Sequence, residues 1–175
     1  MQDSLKEALQ LARKMELDGI AFYTEGAIKA ANPQGRRLFE SLASDEERHL
    51  EVVESIAKGA GVDVSEMPRP NEGIRTAFTN AWEEIGEEGA ASADEKRAIE
   101  IGLGMEEKSY KLYHESAGTA TDKELAAIFT RLAEEEDQHY VILKNTLEYL
   151  EQNSKWMLWE EWGLLTGDMS SLGEG

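Results

Sequence analysis

The sequence contains no Cys and only 3 Pro among its 175 residues. Without Cys these residues can form no disulfide framework, no zinc ribbon and no four-cysteine iron site. The same lack fits a reducing cytosol, so a cytoplasmic protein is expected. No apolar run approaches the roughly 20 residues that span a bilayer, so no membrane partner is expected. The opening stretch, MQDSLKEALQLARKME, has no basic segment followed by an apolar one, and no signal peptide is expected. Basic residues are scarce: 18 Lys and Arg stand against 36 Asp and Glu, a formal net charge of -18. Such a surface repels phosphate backbones, which argues against nucleic acid, and it attracts cations. Most of these charges read as a solvated exterior. The length suits one domain with a substantial core.

What is present is helical periodicity in four long segments. The first runs from about Asp3 to Ala31, with Leu5, Leu9, Ala12, Ile20, Tyr23 and Ala27 on one face. NPQG ends it, because Pro33 has no donor and biases Asn32 away from helix. The second runs from about Gln34 to Ala60, with Phe39, Leu42, Val53 and Ile56 inward, and KGAG closes it. The third starts near SADE, where Ser92 and Glu95 form a capping-box pattern. It carries Ile99, Leu103, Tyr110, Tyr113 and Ala117. A second box, Thr121 with Glu124, opens a fourth helix that reaches about Leu150 through Leu125, Phe129, Leu132 and Leu143.

Short turns make two helical hairpins of these four segments. Between the hairpins lie roughly 30 residues, a length that implies structure of its own. MPRPNEG is irregular there, and IRTAFTNAWEEIGEE reads as a short helix. Two hairpins joined by one long crossover is the topology of a ferritin-like four-helix bundle, so the expected fold is all-α. We place the bundle at 1–152. Residues 153–175 form a second unit, in which Trp156, Trp159 and Trp162 at helical spacing predict a C-terminal helix before a flexible tail.

The chain repeats itself at an offset of 90 residues: KMELDGIAFYTEGA (14–27) aligns with GMEEKSYKLYHESA (104–117). The same offset relates Glu16 to Glu106, Tyr23 to Tyr113, Phe39 to Phe129, Glu46 to Glu136 and His49 to His139. Each inward stripe is apolar except near its middle. There the first helix places Glu16, the second Glu46 and His49, the third Glu106, and the fourth Glu136 and His139. Counting about 1.5 Å per residue from each turn, these six side chains are level to within roughly one turn. Glu134 and Glu135, off this register, read as solvated or as supports for the six. His114 lies off the stripe and reads as a surface residue.

Four buried carboxylates in one layer are untenable without compensation, since each isolated one costs several kcal/mol. No Lys or Arg lies on the inward stripes near this layer. Two divalent cations would balance the charge, and carboxylate plus imidazole suits Fe(II) or Mn(II), with Zn(II) possible. The candidate metal ligands are therefore Glu16, Glu46, His49, Glu106, Glu136 and His139.

These residues, with EERH ending at His49, EEDQH ending at His139 and the paired Tyr23 and Tyr113, resemble the rubrerythrin branch of the ferritin-like superfamily over about residues 3–150. The resemblance implies two iron ions bridged by Glu46 and Glu136. Glu16 and Glu106 would be terminal ligands, and His49 and His139 would each hold one iron. It implies reduction of hydrogen peroxide or oxygen, with electrons from Fe(II) or from a separate donor protein such as a rubredoxin, and it suggests a homodimer. Tyr23 and Tyr113 would hydrogen-bond ligand carboxylates, the alternative being plain core packing. Rubrerythrins usually place a further glutamate three residues after the third-helix ligand, which the resemblance associates with a metal shift and efficient peroxidase turnover; here that position is Ser109, and its repeat mate is Gly19. Glu107, a turn of about 100° away, is a poor substitute. Iron sequestration or ferroxidation without peroxidase turnover, a dimanganese catalase-like enzyme, and a helical scaffold with vestigial ligands stand as alternatives.

Overall fold

The computed structural model describes residues 3–59, 61–62, 67 and 93–153. The expected crossover helix, Ser92 of the first capping box and the Trp-bearing C-terminal helix lie outside the described residues. Those described form four helices and no strand: α1 (Asp3–Lys29), α2 (Pro33–Ala57), α3 (Ala93–Thr119) and α4 (Lys123–Asn153). No helix among them is long and apolar enough to cross a membrane.

The turns explain the ends. Pro33 opens α2, where its missing N–H would have had no helical partner. Asn32 caps that helix, its side chain accepting from the Gln34 N–H at 2.8 Å. Gly59 follows the helix at φ 72°, a left-handed conformation that favours glycine, and its N–H bonds the Ile56 carbonyl at 3.0 Å. In the second hairpin the cap is Asp122, which accepts from Glu124 N at 2.8 Å and Leu125 N at 3.1 Å. The box expected from Thr121 and Glu124 is thus replaced by the residue that the 90-residue offset relates to Asn32. Glu95 also departs from its expected role. Buried, it reaches across to hairpin 1 and accepts from the Asn32 backbone N–H at 3.1 Å. A buried amide at the tip of one hairpin is worth more to a carboxylate than its own exposed helix start.

α1 packs along α2 and α3 along α4, and the hairpins meet chiefly through α1 and α3. The core divides into two apolar layers. One gathers Tyr23, Leu38, Phe39, Leu42, Ile99, Ile142 and Leu143. The other gathers Leu9, Ala12, Val53, Tyr113, Ile128, Phe129 and Leu132. The repeat is visible in both: Tyr23 stacks on Phe39 at 6.3 Å between ring centroids, and Tyr113 on Phe129 at 6.2 Å. Along every helix, the six candidate ligands fall between the residues of the two layers.

Close packing leaves no room at Gly102 of α3. A Cβ there would lie 3.0 Å from the Tyr23 hydroxyl and 3.1 Å from Leu143, both fully buried. At Gly104, two residues on, a Cβ would meet nothing within 4 Å. We predict opposite signs for two like changes. G104A should gain about 0.5–1 kcal/mol through helix propensity. G102A should be less stable than the parent by about 1 kcal/mol or more, because overpacking outweighs the same gain. Urea unfolding midpoints of the two variants measure this directly.

Candidate metal centre

All six residues named from the stripes reach one buried layer. Glu16 and Glu136 have no exposed surface, and Glu46, His49, Glu106 and His139 are each at most 4% exposed. Their donor atoms fall into two sets, within each of which every atom lies within 4.8 Å of the others. One set is Glu16, Glu46, His49 and Glu136; the other is Glu46, Glu106, Glu136 and His139. Glu46 and Glu136 belong to both. The imidazoles stack, with centroids 5.6 Å apart, and both present Nδ1 to the carboxylates. His49 Nδ1 lies 2.9 Å from Glu136, 3.5 Å from Glu46 and 3.7 Å from Glu16. His139 Nδ1 lies 3.5 Å from Glu106, 3.6 Å from Glu46 and 4.0 Å from Glu136.

Despite this proximity, Glu16 Oε2, both Glu136 oxygens and both Nδ1 atoms have no hydrogen-bond partner. Buried polar atoms are rarely left so, because each loses its hydration without replacement. Here they are grouped, and their donor types, carboxylate oxygen and neutral imidazole nitrogen, are those that divalent first-row metals take. The residues present fit a pair of cations.

The surroundings prepare these atoms. Tyr23 donates to Glu106 Oε1 and Tyr113 to Glu16 Oε1, each across the two hairpins. Burial, then the charge of those same glutamates, holds both phenols well above their ordinary pKa, so they remain donors. The two readings of these tyrosines are therefore joint: the ring packs and the hydroxyl bonds. Gly19 lets α1 approach Glu46, since a Cβ there would stand 3.2 Å from Glu46 Cγ and 3.3 Å from Cδ. Its repeat mate Ser109 is buried, at the place where the resemblance implied a further glutamate. Glu107 is exposed and pairs with Lys111 at 2.6 Å, away from the centre. His114 is exposed and stacks on Tyr110.

Sequence reasoning missed Asp45 and left Glu135 undecided. Asp45 Oδ2 lies 3.1 Å from His139 Nε2, and Glu135 Oε2 lies 3.1 Å from His49 Nε2. Both acids are 3% exposed. Arg48 touches both, bonding Asp45 and lying 3.6 Å from Glu135. Glu134, by contrast, is exposed and pairs with Arg131. The signal existed, since Asp45 and Glu135 are themselves 90 residues apart, each just before a shared glutamate.

A matching family model, described as Rubrerythrin, covers residues 7–147. The chain belongs to the rubrerythrin family. No curated protein and no solved structure matches it. Rubrerythrins are ferritin-like di-iron domain proteins. The family thus agrees with the four-helix architecture, and the glutamate and histidine cluster fits a metal site.

Stripped of metal, the layer must share protons. Burial, then the Glu46 charge, pushes Glu16 up from 4.5 to about 8. Glu136 is raised well above its usual range by burial and by Glu46. Burial acts upward on Glu46 as well, but the imidazoles of His139 and His49 outweigh it and hold this group well below its usual range. Burial would lower both histidines. For His49 the carboxylates of Glu136 and Glu135 prevail, for His139 those of Asp45 and Glu106, and both pKa values end well above the ordinary one. A group whose folded pKa is raised stabilises the fold fully below its unfolded pKa and loses that contribution as pH rises through the folded one. Glu16, Glu136 and both histidines therefore act in the same direction. Chelator-treated protein should lose a few kcal/mol of stability between about pH 5 and 8. With Mn(II) present the trend should reverse, since the ions replace the protons. Denaturant unfolding at both pH values, with and without the ion, checks the two slopes.

Proposed function

We propose that this chain is a di-iron redox protein that reduces hydrogen peroxide or oxygen, with electrons from Fe(II) or a separate donor protein. One observation carries the reading: two four-residue donor sets share Glu46 and Glu136 and contain the unpartnered buried atoms. In this reading Glu46 and Glu136, common to both donor sets, would serve both ions, Glu16 and Glu106 would each serve one, and His49 and His139 would each offer Nδ1. When bound, such an ion pair supplies one-electron steps at two centres and a Lewis-acid site for an oxygen substrate.

The chain's own residues do the rest. Glu46 and Glu136, one from each hairpin, would neutralise both cations at once. Tyr23 and Tyr113 keep two further carboxylates turned inward by donating to Oε1 of Glu106 and of Glu16, which leaves each Oε2 toward the histidines. The apolar layers on either side, anchored by Phe39 and Phe129, keep bulk water from competing for the cations. Peroxide reduction takes up two electrons and two protons per molecule and releases two waters. No Cys among the 175 residues can relay electrons, so in this reading they come from Fe(II) itself or from a donor with its own redox group.

Ser109 favours a second reading, oxidation and storage of Fe(II) without peroxidase turnover, because the further glutamate that the resemblance associates with peroxidases is missing. Stopped-flow mixing of the reduced, iron-loaded protein with peroxide and with oxygen separates the two. Faster oxidation by peroxide, with repeated turnover when a reductant is supplied, is the expected result. A single oxidation that no donor reverses would establish the storage reading, and release of oxygen from peroxide by manganese-loaded protein would establish a catalase. Metal analysis should give two ions per chain, reduced to one or none in E46A/E136A; fewer than two in the parent at saturating Fe(II) would overturn the dimetal centre.

A further inference from the structure

We propose that Asp45 and Glu135 are positioning residues that act crosswise, each hairpin supplying the acid that aims the other hairpin's histidine. The inference rests on the dimetal reading and concerns how its imidazoles are presented. Asp45 and His49 are four residues apart on α2, the spacing at which helix neighbours can pair, and so are Glu135 and His139 on α4. The recorded bonds are the other ones. Asp45 of hairpin 1 meets His139 of hairpin 2, and Glu135 of hairpin 2 meets His49 of hairpin 1, both at 3.1 Å.

When the imidazole is neutral, as a bound cation requires, a carboxylate at Nε2 keeps the proton on that nitrogen and leaves the lone pair on Nδ1. Both Nδ1 atoms face the carboxylate layer and have no hydrogen-bond partner, so the arrangement selects the tautomer that a cation requires. Neither acid belongs to a donor set, because each lies on the far edge of its imidazole. Arg48 holds the acids in turn, bonding Asp45 and lying 3.6 Å from Glu135. The tyrosines follow the same rule, Tyr23 of hairpin 1 serving Glu106 and Tyr113 of hairpin 2 serving Glu16. Each support thus comes from the opposite hairpin, and a hairpin alone presents its ligands unaimed. Docking of the hairpins and loading of the cations become one coupled event.

Titration calorimetry with Co(II) tests this without measuring turnover. The parent should bind two ions. D45A should weaken one of them by about 10- to 100-fold and leave the other within a factor of about two, and E135A should weaken the other. D45N and E135Q keep an acceptor oxygen and the side-chain volume, and should recover most of the loss. The cycle is the decisive part. D45A should have no further effect in the H139A background and its full effect in the H49A background, with E135A showing the converse. Coupling of Asp45 to His49 instead, or D45A and D45N both binding as the parent does, would overturn the proposal. A parent that binds no pair of Co(II) ions would defeat the dimetal reading itself, a separate outcome.

Discussion

Four glutamates and two histidines sealed between apolar layers set the terms for everything else in this molecule. Carboxylates at that depth repel one another and have lost their water, so they must be met by cations or by shared protons. The fold accommodates this tension by surrounding it with rigid packing. Phe39 and Phe129 brace the two tyrosines, the tyrosines hold two of the carboxylates, and the acids on the outer edges hold the imidazoles. Removing the layer's polarity would leave an ordinary four-helix core; keeping it requires the rest of the arrangement.

Much of this could be read from residues alone, for a physical reason. A helix that interrupts its apolar stripe once declares an interior use for the interruption, and an internal repeat locates that use on all four helices together. Glu16, Glu46, His49, Glu106, Glu136 and His139 were legible because periodicity and offset both mark them. What remained hidden is the choice of partner. Glu95 looks like half of a local capping box but bonds the Asn32 amide of the other hairpin. Thr121 looks like a cap, yet Asp122 takes the two free N–H groups. Asp45 looks like one acid in an acidic run, and only the assembled bundle brings it to His139. Local pattern gives a side chain's direction from its own helix; it does not give what arrives from another.

The two halves match in their ligands and differ around them. Gly19, Gly26 and Gly102 stand where the repeat has Ser109, Ser116 and Ala12, and a Cβ on any of these glycines would stand within 3.0–3.2 Å of Glu46, Phe39 or Tyr23. Hairpin 1 also contributes Arg48, whose counterpart is Gln138. Arg48 therefore reaches both acids, while Arg131, whose counterpart is Ser41, lies 3.7 Å from Glu135. The six candidate ligands follow the 90-residue repeat, as a pair of cations would ask of each half, whereas the supporting residues obey only local space and charge.

The crossing of supports between hairpins has a consequence for how such a sequence can change over time. A duplicated segment would ordinarily be free to drift copy by copy. Here position 45 answers to position 139, 135 to 49, 23 to 106 and 113 to 16. Substitutions in descendants of this chain should track those partners in space, so covariation would join residues of opposite copies that the repeat itself never aligns.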